Sequence, residues 1–581
     1  MLDPRLEPAA KGGVHIDRGV AIAMRDGTIL RADIYRPETS GCYPVLVERV
    51  PYELLSRAGQ EGDYFASRGY VYVAQNVRGT FASEGIFRFL DDEGSGLMRD
   101  GYDTIEWANS QPWSNGSVAT VGGSYSGYTQ YAVAPTRPPH LRTMVVREGP
   151  SDIYHDVFTR GGAHQLGLMR DWILRAFLLP QLRSQPASAG LALRQQLEKA
   201  EEDIESWYWH LPLKSFAPVE GVADWYFEQL AHPEDGPYWW GRNAALKLGQ
   251  LNVPILHVGG WHDIFVDSTL RCFQGARAHA GSEAARSGQR LVVGPWIHGL
   301  GELGVRQVGD VDFGSDADFD FNALQSRWFD HWLKGAENGV MDAPPVRIFL
   351  MGANRWLELA DWPPAGAIAT PLYFREGTGR SAESLNNGRL TFSPPDASER
   401  PDNFTSDPMK PVPSLLMYPE LGPRDHRDVE ARMLTYTTEP LEHDLTVMGS
   451  VRAVLHSLSS APDTDWVVRL CDVWPDGRSL SVCDGILRGR YRTSFERPEP
   501  LRPGQLYQFE VDLSATAQAF QAGHRMRVEV TSSDFPRYDR NLNTGGPFGE
   551  EVRGRVAINT VFHDSTRPSQ VLLPILAGGS P

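Results

Sequence analysis

Over the first 150 residues, short β-branched runs alternate with stretches of helical spacing. Residues 19–37, GVAIAMRDGTILRADIYRP, read as a hairpin turning at Asp26-Gly27. The runs YPVLVERVPY, GYVYVAQNVRG, SVATVGGSY and LRTMVVREGP are short, apolar and closed by polar or turn residues. Such runs suit strands buried on both faces, and the helical stretch GYDTIEWANSQPW between two of them suits a crossover, so the pattern predicts a mostly parallel sheet. From residue 151 to 251 the rhythm changes: aromatic residues and helical periodicity dominate, as in GLALRQQLEKAEEDIESWYW, and no good strand is found. The strand–helix rhythm resumes with VPILHVGGW, DSTLRCFQGARAHA and QRLVVGPWIHG, and closes on the amphipathic NALQSRWFDHWLKG. After residue 365 strand-like runs separated by turns take over, from PLYFREG to VAINTVFHD.

The pattern therefore predicts an α/β domain in two parts, residues 1–150 and 252–364. A helical insertion, 151–251, divides them, and an all-β sandwich of jelly-roll type, 365–581, follows. The Pro-, Asp- and Ser-rich stretch SPPDASERPDNFTSDPMKPVPS reads as a long surface connection, and no internal repeat is present.

A length of 581 residues exceeds what one hydrophobic core supports, in keeping with several domains. The net charge of −17 argues against nucleic acid as a partner, since phosphate binding needs concentrated Lys and Arg. No apolar run approaches the roughly 18 residues of a membrane span. The N-terminal MLDPRLEPAAKGG lacks the apolar segment of a signal peptide, so the expected location is the cytoplasm. The four cysteines, Cys42, Cys272, Cys471 and Cys483, have no metal-ligand spacing, and no metal or cofactor motif is found. Cys471 and Cys483 could bridge across a hairpin, but free buried thiols are the expectation.

In open α/β sheets reactive groups gather at the carboxyl ends of strands. Three fall there in the order Ser, Asp, His: Ser124 after VATV, Asp263 after VPILHVGG and His298 after LVVGPW. This is the chain order of α/β-hydrolases. Each alone has a plain structural reading as turn, cap or packed loop residue; together they point to a nucleophile, an orienting acid and a base. The insertion enters where it can cover such a site. His262 competes with His298 but adjoins Asp263, and neighbours seldom point the same way from a turn. Asp267 competes with Asp263 but looks like a helix N-cap. The nucleophile-elbow pattern G-x-S-x-G is not met: two residues after Ser124 stands Ser126, and Gly127 comes one position late. The backbone N–H after the nucleophile, that of Tyr125, would donate to an oxyanion.

With their flanks these residues resemble the bacterial cocaine esterase family, which is related to the X-prolyl dipeptidyl peptidases and the α-amino acid ester hydrolases. The likeness covers nearly the whole chain. It rests on Gly122, Ser124, Tyr125 and Gly127 as G-x-S-Y-x-G, on GGWHDIF, GPWIH and HPEDGPYWW, and on FPRYDRNLNTGG. It implies that Ser124 is the nucleophile, that the late glycine is a family trait, and that Tyr52 of ERVPYEL supplies a second oxyanion donor. It also implies homo-oligomers and the three-part architecture of catalytic domain, cap and jelly roll. In the α-amino acid ester hydrolases an acidic pair just after the catalytic Asp holds the substrate ammonium. Here Ile264, Phe265 and Val266 occupy that stretch, leaving Asp156 or Asp171 in the cap as substitutes. By the same resemblance Phe265 and Trp172 line an apolar acyl pocket, with Phe158 near the position of a second tryptophan that is missing here; His164 in the cap could reach the site, but a structural role is expected of it.

The function expected is hydrolysis of a small-molecule carboxylic ester with an aryl or branched acyl group. An amidase, acylase or X-prolyl dipeptidyl peptidase would use the same residues. A carbohydrate-binding protein built on the jelly roll is a third reading, against which the intact reactive residues speak.

Overall fold

A computed structural model describes all residues except 1–12, 55–56, 95–97, 187, 189, 300, 302, 397, 418–420 and 577–581. Its first sheet contains β1 (Val14–Ala23), β2 (Ile29–Pro37), β3 (Tyr43–Val50), β4 (Val71–Asn76), β5 (Ser114–Gly123), β6 (Leu141–Arg147), β7 (Ile255–His262), β8 (Arg290–Ile297), β9 (Val346–Leu350) and β10 (Arg355–Leu359). Their order across the sheet is β1-β2-β4-β3-β5-β6-β7-β8-β9-β10. The hairpin β1–β2 and the terminal β10 pair antiparallel, and from β4 to β9 all pairs are parallel. β3, β4 and β6 are buried along almost their whole length, which is why they read as unbroken apolar runs. The pair β9–β10 joins the sheet although the sequence reading passed over it; its signal was VRIFL and RWLEL around Gly352 and Asn354, both with positive φ.

Between β6 and β7 the chain leaves the sheet for a mainly helical excursion. It contains the helices Leu166–Asp171, Leu191–Glu202, Ile204–Trp209 and Asp224–Leu230, and π-helical turns at Ile153–Phe158 and Trp172–Leu178. Two-residue strands, Thr159–Arg160 and Ala163–His164, pair within it, a small departure from the strand-free expectation. Its core is continuous with the α/β domain: Tyr125 and Tyr128 pack in one cluster with Tyr154, Phe177, Trp225 and Trp239. Burying an aromatic of this kind stabilises by about 1.5–3 kcal/mol, so the insertion is anchored rather than tethered.

Among the described residues the C-terminal region is one hydrogen-bonded sheet of eleven strands, ten along a path and one, Tyr507–Phe520, paired beside it with Leu445–Ser459, folded over a common core. Trp466 meets Phe404, on the strand at the far end of the path, and Phe509, on the strand paired beside the path, so the sheet closes into two layers. The strand Asp402–Ser406 runs through the stretch read from sequence as a connection, pairing with Ala557–Phe562. The cysteines are free. Cys483 is opposite Leu470 and Cys471 opposite Ser481, so the two thiols lie on different faces of their hairpin. Among the described residues no helix is long and apolar enough to cross a membrane.

Candidate active site

The neighbouring parallel strands β3, β5, β6, β7 and β8 deliver polar groups to one edge of the sheet. Ser124 follows β5 with φ 55° and ψ −119°, a conformation that non-glycine residues rarely adopt and that pushes the side chain out of the strand line. Two glycines make that turn feasible. Gly122 has φ 138°, and a Cβ there would lie 2.4 Å from Cβ of Ser126. A Cβ on Gly127 would lie 2.6 Å from Cα of Gly149, so the helix Tyr125–Val133 touches the end of β6 at this point. The glycine is therefore needed one position later than in the usual pattern, where helix meets strand.

Ser124 Oγ lies 2.9 Å from Nε2 of His298. Nδ1 of His298 donates to Oδ1 of Asp263 at 2.7 Å, which leaves Nε2 as the acceptor facing the hydroxyl. Asp263 and His298 are buried and Ser124 is half-buried. Burial pulls the imidazolium of His298 down, but the charge and hydrogen bond of Asp263 outweigh it, and the net shift is upward. The arrangement lets the imidazole take the hydroxyl proton while the carboxylate holds the ring.

Tyr52 stands two residues beyond β3, and the indole N–H of Trp172 donates to its oxygen at 3.0 Å. Tyr125 opens the helix after Ser124, where backbone N–H groups have no acceptor within the helix. Tyr52, Tyr125, Trp172 and Phe265 all line a cavity of about 270 Å³ that also takes in Ser124 and His298. Phe265 presents its ring edge-on to His298 at 4.9 Å between centroids.

The expectations for Phe158, Asp156, Asp171 and Asp267 need correction, while His262 and His164 lie away from the cavity. Phe158 does not line this cavity: it is fully buried and stacks on Trp239 at 4.8 Å, and Val157 faces the site in its place. The π-helical turn Ile153–Phe158 sets which of the two neighbours points inward. Asp156 and Asp171 are not at the cavity either. Asp156 accepts from Arg271 at 2.7 Å and from the N–H groups of Ser151 and Asp152, and Asp171 accepts from Tyr208 at 2.7 Å. Asp267 lies inside the first turn of the helix Val266–His279 rather than capping it, and pairs with Arg160. His262 lines a crevice against the C-terminal domain with Ser481 and Val482. His164 is enclosed between the Phe158 carbonyl and the Tyr226 hydroxyl, and burial lowers its pKa to about 4.

One buried group at this edge was missed from sequence: Glu148, just after β6. Its Oε2 accepts the N–H of Gly299 at 3.0 Å and lies 3.9 Å from Nδ1 of His298. The signal was a lone acid at a strand end, in VVREGP, which sequence alone reads as a turn residue.

A parallel sheet with a strained serine at one strand end, an imidazole within reach of it and a helical cover defines an α/β-hydrolase, and the chain is a serine hydrolase. Residues 26–300 match the X-Pro dipeptidyl-peptidase (S15 family) model, and residues 338–572 match the X-Pro dipeptidyl-peptidase C-terminal non-catalytic domain. Cocaine esterase of Rhodococcus sp. (strain MB1 Bresler) is 34% identical over 97% of this chain and 99% of its own. Among solved structures, an aminopeptidase from the marine sediment archaeon Thaumarchaeota archaeon superposes with a TM-score of 0.81 at 27% identity, over 99% of this chain and 98% of the other. An α-amino acid ester hydrolase does so with 0.79 at 27% identity, over the same shares. The chain belongs to the cocaine esterase-like family of S15-type hydrolases.

Proposed function

We propose that this protein hydrolyses small carboxylic esters whose acyl group is uncharged and apolar, aryl or branched, through an acyl-enzyme on Ser124. The observation that carries the reading is the lining of the cavity beside Ser124: Trp172, Phe265, Phe89, Leu168, Met169 and Val157 surround it, and among the described residues no Asp, Glu, Lys or Arg does. An ammonium group placed there would lose its hydration without gaining a counter-charge, a cost of several kcal/mol. An uncharged ring or branched chain loses little and gains apolar burial.

In the proposed reaction His298 Nε2 takes the Ser124 proton as Oγ bonds to the ester carbon. The oxyanion that forms accepts from the Tyr52 hydroxyl and the Tyr125 N–H. The intermediate collapses by breaking the bond to the alkoxy oxygen, which receives the proton from His298. Water, deprotonated by the same imidazole, then releases the acid and restores Ser124.

Amide or X-prolyl peptide hydrolysis would use the same groups, and the family models bear peptidase names. The apolar lining disfavours the free α-amine that such substrates carry. Wild type and Ser124→Ala are to be compared on p-nitrophenyl esters and p-nitroanilides with aliphatic, aryl and aminoacyl groups. Loss of ester turnover in the variant, with aryl or branched esters preferred by the wild type, is expected. Anilide turnover confined to free-amine substrates would move the protein to the peptidase reading, and equal turnover by both proteins would remove Ser124 from the reaction.

A further inference from the structure

Between the strand ends that carry Ser124 and Asp263, the end of β6 brings in a carboxyl group that the reaction above does not use. Glu148 is fully buried and has φ 46°, a region non-glycine residues seldom occupy. Its N–H donates to the Val258 carbonyl on β7 at 2.7 Å, which holds the strained turn in place. Strain of this kind persists only where the surroundings over-determine it, and here it aims the side chain at the histidine loop.

The hydrogen bonding around the carboxyl is incomplete. Oε2 accepts from Gly299, whose own φ is 150°, but the buried Oε1 has no partner. Asp263 shows the same pattern: Oδ1 accepts from His298, and the buried Oδ2 has no partner. Glu148, Asp263 and His298 each offer an atom within 4.8 Å of the other two. From β7 the carboxyl therefore meets Asp263, and from β8 it meets His298 and the Gly299 amide. From its own strand comes Arg147, but that guanidinium is engaged by Glu61 at 2.5 Å. Two ionised carboxylates here would face one imidazole while both are buried, and like charges at such range cannot both ionise cheaply. A single added proton on the Glu148 carboxyl removes the repulsion.

We infer that Glu148 is a positioning residue for His298, a neutral carboxylic acid at neutral pH that faces Asp263 while its Oε2 fixes the Gly299 amide and the loop that carries the histidine. The inference rests on the proposed roles of Ser124, His298 and Asp263. Burial first, and the charge of Asp263 next, push the Glu148 carboxyl up to about 8, in agreement with the geometry. In the neutral form it leaves Asp263, among the described residues, as the full negative charge facing the imidazolium. Once ionised, it would add a second anion and hold the proton on His298 more tightly.

Two measurements on the full-length chain test this. The first is infrared spectroscopy of the resting protein at pH 7, wild type against Glu148→Gln. A protonated-carboxyl C=O band present in wild type and missing from the variant is expected, and in wild type alone the band should fade as pH rises through about 8. No band in wild type, or one that survives in E148Q, would overturn the assignment. The second is the pH profile of kcat/KM on a p-nitrophenyl ester. The acid limb of E148Q should move by less than about 0.3 pH unit, because no charge is removed. A fall of about one unit would mean that an ionised neighbour had been lost, and would refute the neutral state. Glu148→Ala, which loses the hold on Gly299, should lower kcat by about tenfold with KM within about twofold; unchanged kcat would refute the positioning role. The infrared reading needs no turnover, so it stands apart from the Ser124→Ala test of the reaction itself.

Discussion

Tyr52 and His298 carry the sharpest consequences of the proposed chemistry at the scale of single residues. Tyr52→Phe removes one oxyanion donor and the acceptor of the Trp172 indole N–H, while the ring still packs against Trp172. Turnover of a p-nitrophenyl ester should fall by roughly 100-fold, about 3 kcal/mol, with KM nearly unchanged. Asp263→Asn should cost about 10⁴-fold in kcat, because the imidazole loses its partner for the productive tautomer. For His298 the reactive form is the neutral base and its pKa is raised. Activity is therefore full above that pKa and falls tenfold per pH unit below it, with the limb lying above the ordinary 6.5. A limb below 6.5 would contradict the Asp263 contact as the dominant influence. Ser124, Asp263 and His298 were legible because each follows a recognisable strand. Glu148 was not, because what marks it is the presence of groups more than 100 residues away in sequence.

Among the elements, the turn from β5 into the helix Tyr125–Val133 depends on its glycines. In Gly127→Ala the new methyl would meet backbone of Gly149, which cannot rotate aside. A loss of about 1–3 kcal/mol is expected in denaturant titration, together with reduced turnover as the elbow shifts. Gly241→Ala in the cap meets nothing within 4 Å and should change stability by no more than about 0.5 kcal/mol. Helical periodicity located the cap but not its phase. The resemblance put Phe158 near the pocket, but in the π-helical turn Ile153–Phe158 it is Val157 that lines the cavity. The strand Asp402–Ser406 was hidden for another reason: its flanks are rich in Pro and Asp, and only its pairing with Ala557–Phe562 makes it a strand.

In the molecule as a whole the C-terminal domain braces the cap. The Gly167 N–H donates to the Pro536 carbonyl, and Asp539 accepts the His164 N–H at 2.7 Å. Arg488 lies buried between Asp539 and Asp465, at 2.9 Å from each. Arg488→Met would leave two buried carboxylates without their cation, and a loss of about 3–5 kcal/mol is expected, seen as a lower Tm. A variant as stable as wild type would show that the two acids find other partners. Because the FPRYDRNLNTGG segment makes these contacts, its polarity serves the junction between domains.

The sequence by itself determined the class of fold, the three-part order of the chain and the chemical types available at the strand ends. These depend on local periodicity and on residues near one another along the chain. Only the tertiary structure decided which acids are occupied elsewhere, as Asp156 and Asp171 are, and which one joins His298, as Glu148 does. The reason is the sheet order. Residues from β3, β5, β6, β7 and β8 become neighbours only when those strands lie side by side, and burial then sets the charge each group can carry.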